Sequence, residues 1–213
     1  MMGSEMLPSL IGGRMTWKDI KLIALQKMFS ADGMNIPSDD STKDYLAGMP
    51  YTANEGLLMI CTSKRPIIKS VDLTEEMGDV IGNLRFYHLG ELVKDFFQFY
   101  PEVYYTDTNR VRASEYFTES HDVFYVNDAK KGVYTVYYMA YPEEITPTTE
   151  DSYVLSVPPD VQAILPLYIA SQLYKEDDNG IATSLRNEFE VALDRLSFNN
   201  PMRKRDVARE SGW

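Results

Sequence analysis

The chain has 213 residues, a formal net charge of −11, 44% hydrophobic and 25% charged residues, two histidines and one cysteine. This composition excludes whole-chain disorder and collagen-like structure, and at about 150 residues per domain it allows one domain or two small ones. No apolar run reaches the roughly 18 residues of a bilayer-spanning helix, and the lone Cys61 excludes an intrachain disulfide framework or a multi-thiolate zinc site.

Residues 1–14 lack the basic start and long apolar core of a signal peptide and are expected to form a flexible extension. Thr16 and Asp19 have the spacing of a capping box. Behind them Ile20, Ile23 and Ala24, widened by Leu22, Leu25 and Phe29, predict a helix over 17–29. A second helical pattern starts near Thr42, carries Tyr45, Leu46 and Met49, and resumes after Pro50 through Ala53, Leu57, Leu58, Ile60 and Cys61. Proline lacks a backbone donor, so a kink or break is expected at Pro50.

From Pro66 to Val157 the chain holds eleven of its fifteen tyrosines, and β-branched and aromatic residues cluster in short runs. Strands are predicted at 67–71, 103–105, 113–117, 123–126 and 132–140, with a hairpin turn at 127–132. Leu89, Leu92, Val93, Phe96 and Phe97 follow a helical spacing instead. After Val157 the helical period returns. Pro158-Pro159-Asp160 opens a helix with Val161, Ile164, Leu165, Tyr168, Ile169 and Leu173, kinked at Pro166. Asp177 or Asp178 caps a last helix with a stripe of Ile181, Leu185, Phe189, Ala192 and Leu196.

The expected fold class is α+β: a bundle of about four helices with a small β-sandwich or barrel inserted between its second and third helices. The bundle takes 15–65 and 158–198, the insertion 66–157, and residues 199–213 form an extended tail. In that tail Arg203, Lys204, Arg205 and Arg209 face only Asp206 and Glu210, a net +2, which leaves −13 on the other 198 residues.

Catalytic chemistry finds no motif. His88 and His121 are 33 residues apart and sit in no HExxH pattern. Glu119-Ser120-His121-Asp122 has suitable residue types without diagnostic spacing. Asp177-Asp178-Asn179-Gly180 lacks the alternating ligands of a calcium loop and reads as a helix cap. Cys61 lies in an apolar run and reads as a buried thiol. Glu75-Glu76 and Glu143-Glu144 read as solvated acids. GxSxG, GxxxxGK[ST] and GxGxxG are absent. No enzyme activity, metal or cofactor is therefore expected. Tyr134, Tyr137, Tyr138 and Tyr141 are dense for one strand, with Tyr134 and Tyr138 on one face and Tyr137 on the other. They suit a core, a docking face or a surface for stacking sugars.

Two runs, DYLAGMPYTANEGLLMI (44–60) and LPLYIASQLYKEDDNGIATSLRNEFEVALDRL (165–196), resemble the helices of phage head–tail connector (adaptor) proteins. The block 89–141 resembles the β-insertion of versions from phages of Gram-positive bacteria. The resemblance covers about Met15 to Leu196 and implies a structural virion protein, usually a twelve-fold ring, without cofactor. Its implied partners are the portal protein, neighbouring copies of itself and a neck or tail-completion protein, with DNA passing through and no membrane contact. It also implies a tail that reaches into the portal, where Arg203, Lys204, Arg205, Arg209 and Trp213 are the candidate docking residues. The competing reading is a module that binds host-wall carbohydrate through the tyrosine-rich block.

Overall fold

The structure, a computed structural model, describes residues 13–29, 35–36 and 40–196. It is α+β, in the order α1 (Trp17–Met28), α2 (Asp40–Ser63), β1 (Ile67–Leu73), β2 (Asp79–Ile81), β3 (Leu84–His88), α3 (Leu89–Leu92), β4 (Phe96–Thr106), β5 (Arg110–Arg112), β6 (Phe117–Glu119), β7 (Val123–Asn127), β8 (Val133–Ala140), α4 (Pro159–Leu173) and α5 (Asn179–Arg195). The expected four-helix bundle carrying an inserted sandwich or barrel is corrected. Among the described residues there are five α-helices and two four-stranded antiparallel sheets, with helices at both ends of the chain and strands in the middle. By their contacts the described residues divide into two compact units: those between 13 and 65 together with those between 144 and 196, and residues 66–143.

In the helical unit α4 packs against α1, α2 and α5. Its sequence is apolar nearly all round, the pattern of a helix enclosed by others, and Val161, Leu165, Ile169 and Ala170 are fully buried. Burial explains why both internal prolines are tolerated. The helices run unbroken through Pro50 and Pro166, so of the kink or break expected at Pro50 the break does not occur. An internal proline costs about 3 kcal/mol, and the burial of Met49, Ala53, Leu57, Ile60 and Cys61 along α2 offsets that cost.

The start of α1 shows how the loop after residue 143 earns its place in this unit. The first four N–H groups of a helix have no partner within it. Here Trp17 N donates to Tyr153 O (2.7 Å), Lys18 N to Asp151 O (3.0 Å), Asp19 N to Thr16 Oγ1 (3.2 Å) and Ile20 N to Thr16 O (3.1 Å). The capping box is complete, with Thr16 N donating to Asp19 Oδ2 at 2.8 Å. Ile145, Leu155 and Val157 are buried, and Asn54 holds Ile145 through both its N–H and its C=O, at 2.8 Å each. Residues 144–157 thus belong with the helices, not with the β-rich segment where the sequence placed them.

Helix α2 meets α4 through a stripe of small residues four apart, Gly48, Thr52 and Gly56. A Cβ on Gly56 would lie 2.8 Å from Tyr168 Cδ1 and 2.9 Å from Leu165 Cδ1, whereas on Gly48 it would meet only the end of Leu173, at 2.9 Å. The two positions should therefore respond in opposite ways. Gly48→Ala gains helix propensity and asks one flexible tip to move, so stability should hold or rise by up to about 1 kcal/mol. Gly56→Ala drives a methyl into a ring, and overpacking of about 1–3 kcal/mol should outweigh the same gain. Urea unfolding of the two variants checks the contrast; equal effects would show that the α2–α4 approach is looser than it looks.

In the β unit one sheet has the order β1-β8-β4-β5 and the other β2-β3-β7-β6. Leu73, Tyr87, Leu89, Phe96, Phe124, Val126, Tyr134, Val136 and Tyr138 form a core drawn from both. Three expectations change here. The helix expected over 89–97 is one turn, because Phe96–Thr106 is a long strand pairing with β8; a single turn offers too little cooperativity to compete with that ladder. Residues 113–116 are not a strand but the connection between β5 and β6. Residues 127–132 are not a hairpin turn, because β7 and β8 belong to different sheets. That crossover is tied down by Arg85, whose Nε donates to Asp128 Oδ1 at 3.0 Å and whose Nη1 donates to Glu75 O. The Arg85 hydrogen bond holds the Asp128 carboxyl below its usual pKa. Gly132, at φ 151°, sits where a Cβ would lie 2.7 Å from Thr106 O.

Candidate docking surfaces

The candidate docking residues Arg203, Lys204, Arg205, Arg209 and Trp213 lie outside the described residues, as do residues 1–12 of the expected extension. The other residues singled out in the sequence can be placed. Cys61 is buried, and burial pushes its thiol up to about 12; a thiol so rarely ionised is inert. Asp178 caps α5, its Oδ1 accepting from Ile181 N at 3.0 Å. Asp177 accepts from the Tyr45 hydroxyl at 2.5 Å, which raises that phenol to about 12. His88 and His121 are exposed, and His121 lies edge-on to Phe96 at 5.7 Å. Among the described residues no group of three or more His, Cys, Asp or Glu is placed to hold a metal ion. No described helix is long and apolar enough to cross a membrane.

The four clustered tyrosines of β8 and its end divide by the alternation of the strand. Tyr134 and Tyr138 are buried, Tyr137 is half-buried against Tyr104, and Tyr141 is exposed beside Phe97, 5.1 Å between rings. Desolvation raises the Tyr134 and Tyr138 phenols to about 12 each, and Tyr138 also donates to Asp95 Oδ1 at 3.1 Å. Burial works against ionisation of Asp95 itself, but Lys69, 2.7 Å away, and Tyr138 together hold its pKa below the usual value. These rings serve packing and leave no flat platform of several tyrosines. A cleft of about 440 Å³ lies next to them, lined by Phe97, Gln98, Phe99, Thr118, Ser120 and His121.

The exposed apolar residues were not legible as a set. On the helical unit Tyr51 (65% exposed) and Leu58 (45%) are seven apart and share the outer face of α2. Ile181 (41%) and Val191 (53%) of α5 are exposed; its buried stripe keeps the expected Leu185 and Phe189 but has Ala182 and Leu193 in place of Ile181 and Ala192. Tyr168 of α4 lies between these helices, its ring 5.1 Å from Phe189 and its hydroxyl 3.5 Å from Glu55. The helical unit thus exposes unlike apolar side chains on two of its helices, α2 and α5.

Compared with models of known protein families and with curated protein sequences, the chain matches none.

Proposed function

We propose that this protein is a structural, non-enzymatic subunit of a phage head–tail connector, a ring that joins the portal to the neck and surrounds the exiting DNA. The observation that carries the reading is the exposure of unlike apolar side chains on two helices, Tyr51 and Leu58 on α2 and Ile181 and Val191 on α5. A closed ring is built head to tail, so each subunit needs two different surfaces that fit one another. The likeness of residues 44–60 and 165–196 to connector helices points the same way. A strongly acidic ring would repel phosphates and let DNA slide during packaging and ejection. The cationic tail has the opposite sign and suits an arm laid on an acidic portal surface, with Trp213 as its apolar anchor.

The test is co-assembly with the portal protein of the same phage. The full chain should bind it, and a chain lacking residues 199–213 should lose binding while keeping its circular dichroism and melting temperature. Undiminished binding by the truncated chain would sink the docking arm, and failure of the full chain to bind would sink the connector reading. The second reading, host-wall glycan binding, draws on the Phe97 cleft and its neighbour Tyr141; glycan binding lost in Phe97→Ala would favour it.

A further inference from the structure

The β unit holds a cavity of about 80 Å³ whose lining includes Tyr105 of β4, Arg112 of β5, Ser114 and Glu115 of the β5–β6 connection, Lys130 of the β7–β8 crossover and Tyr134 of β8. Gly132 has no side chain, so the Tyr105 ring comes to 2.8 Å from where a Cβ would stand. That ring packs on Tyr134, 5.0 Å between centroids. The Tyr105 hydroxyl is engaged, donating to Lys131 O at 2.5 Å. The Tyr134 hydroxyl is not. Tyr134 is only 2% exposed, and its hydroxyl oxygen is buried without a hydrogen-bond partner among the described residues. Buried polar atoms are nearly always paired, and one that is not calls for an explanation. Burial, and then the neighbouring Tyr105, Tyr87 and Glu115, push this phenol up to about 12, so it stands as a donor. Two of those three neighbours, Tyr105 and Glu115, line the cavity, which places the hydroxyl on its side of the ring.

We propose that this cavity binds a small monocarboxylate, one of whose oxygens accepts from the Tyr134 hydroxyl while its charge faces Arg112. The proposal does not depend on the connector reading. Charge selects the class of ligand. Arg112 and Lys130 against Glu115 give the lining one net positive charge, in a chain whose own balance is −11. Glu115 is held by Lys130 at 2.5 Å and does not serve Tyr134. Arg112 has no carboxylate partner among the described residues, and a guanidinium fork matches a carboxylate with two parallel hydrogen bonds. A water molecule would satisfy the hydroxyl but leave the positive charge unmatched. A phosphate dianion would exceed that charge and face Glu115. Size selects the member of the class. A benzene-binding cavity measures about 150 Å³, so this smaller one takes a ligand of a few heavy atoms, such as acetate or propionate.

Titration of the nitrogen-15-labelled full chain with sodium acetate and sodium propionate tests the site, with sodium chloride and sodium phosphate at equal ionic strength as the other arms. Acetate or propionate should give saturable shifts at the amides of residues 111–115 and 130–134, with a Kd on the order of millimolar for a ligand of so few atoms. Tyr134→Phe removes only the hydroxyl. It should weaken binding about tenfold and leave the melting temperature in carboxylate-free buffer unchanged or higher, because no protein group loses a partner. Arg112→Gln changes an exposed side chain and should weaken binding to a similar degree, whereas Arg112→Lys, which keeps the charge but not the fork, should retain part of it. The proposal is overturned by the absence of saturable shifts, by equal or tighter binding of phosphate or chloride, or by unchanged affinity in Tyr134→Phe or Arg112→Gln. A lower melting temperature of ligand-free Tyr134→Phe also overturns it, since the hydroxyl would then have a stabilising partner without any carboxylate. These readouts need no portal, so a failure to bind portal strikes the connector reading alone.

Discussion

Replacing Gln162 by leucine should destabilise the helical unit by about 3 kcal/mol or more, although leucine is apolar, similar in size and a better helix former. Gln162 is fully buried among the hydrophobic residues of α4. Its Nε2 donates to Leu155 O and Val157 O, each at 2.9 Å, and its Oε1 accepts from Met15 N at 2.6 Å. Leucine leaves two carbonyls and one N–H without this partner, and a buried polar group left unpaired costs about 1–3 kcal/mol. The sum is not strictly additive, because the three groups share one partner. The damage should also spread along the chain. Gln162 fixes Met15, next to the cap of α1, and it fixes residues 155–157, just past the carbonyls of Asp151 and Tyr153 that satisfy Trp17 and Lys18. Hydrogen exchange should therefore show lost protection at the Trp17 and Lys18 amides. A loss below about 1 kcal/mol in urea unfolding, with those amides still protected, would mean that the clamp is not structural.

No pattern in the sequence marks Gln162 out, since one polar residue in an apolar run reads as an interruption. What was legible is what depends on neighbours along the chain. The Thr16–Asp19 box needs four residues and was read correctly, as was the capping of α5 by one of Asp177 and Asp178, which the fold assigns to Asp178. The stripe of α5 was read correctly at its centre, Leu185 and Phe189, and missed at its ends, where Ala182 and Leu193 are buried in place of Ile181 and Ala192. The Gly82-Asn83 pair between β2 and β3 is a two-residue hairpin signal. It escaped notice because β2 has only three residues. The β7–β8 connection failed for the reverse reason. Turn residues show that the chain bends, but whether the next strand joins the same sheet depends on partners far away, here β3 for β7 and β1 and β4 for β8. The exposure of Ile81, Val111 and Phe117 on edge strands was illegible in the same way, because a strand is an edge only by virtue of what does not pair with it.

The largest effect expected in the β unit is at Phe124. This ring is fully buried, with the rings of Tyr116 (5.5 Å), Tyr134 (5.9 Å), Tyr87 (6.1 Å) and Phe99 (6.4 Å) around it. These neighbours come from β3, β4, β8 and the β5–β6 connection, so a cavity here touches both sheets at once. Phe124→Ala should cost about 3–5 kcal/mol, and Phe124→Leu, which keeps most of the volume, clearly less. The neighbours limit relaxation: rings held in tilted and edge-on contacts cannot close a void as aliphatic chains do. Since the two units have separate contacts, exchange should rise across residues 66–143 while the amides of α4 and α5 keep their protection. If Phe124→Ala instead unfolds both units in a single transition, the β unit does not fold on its own contacts.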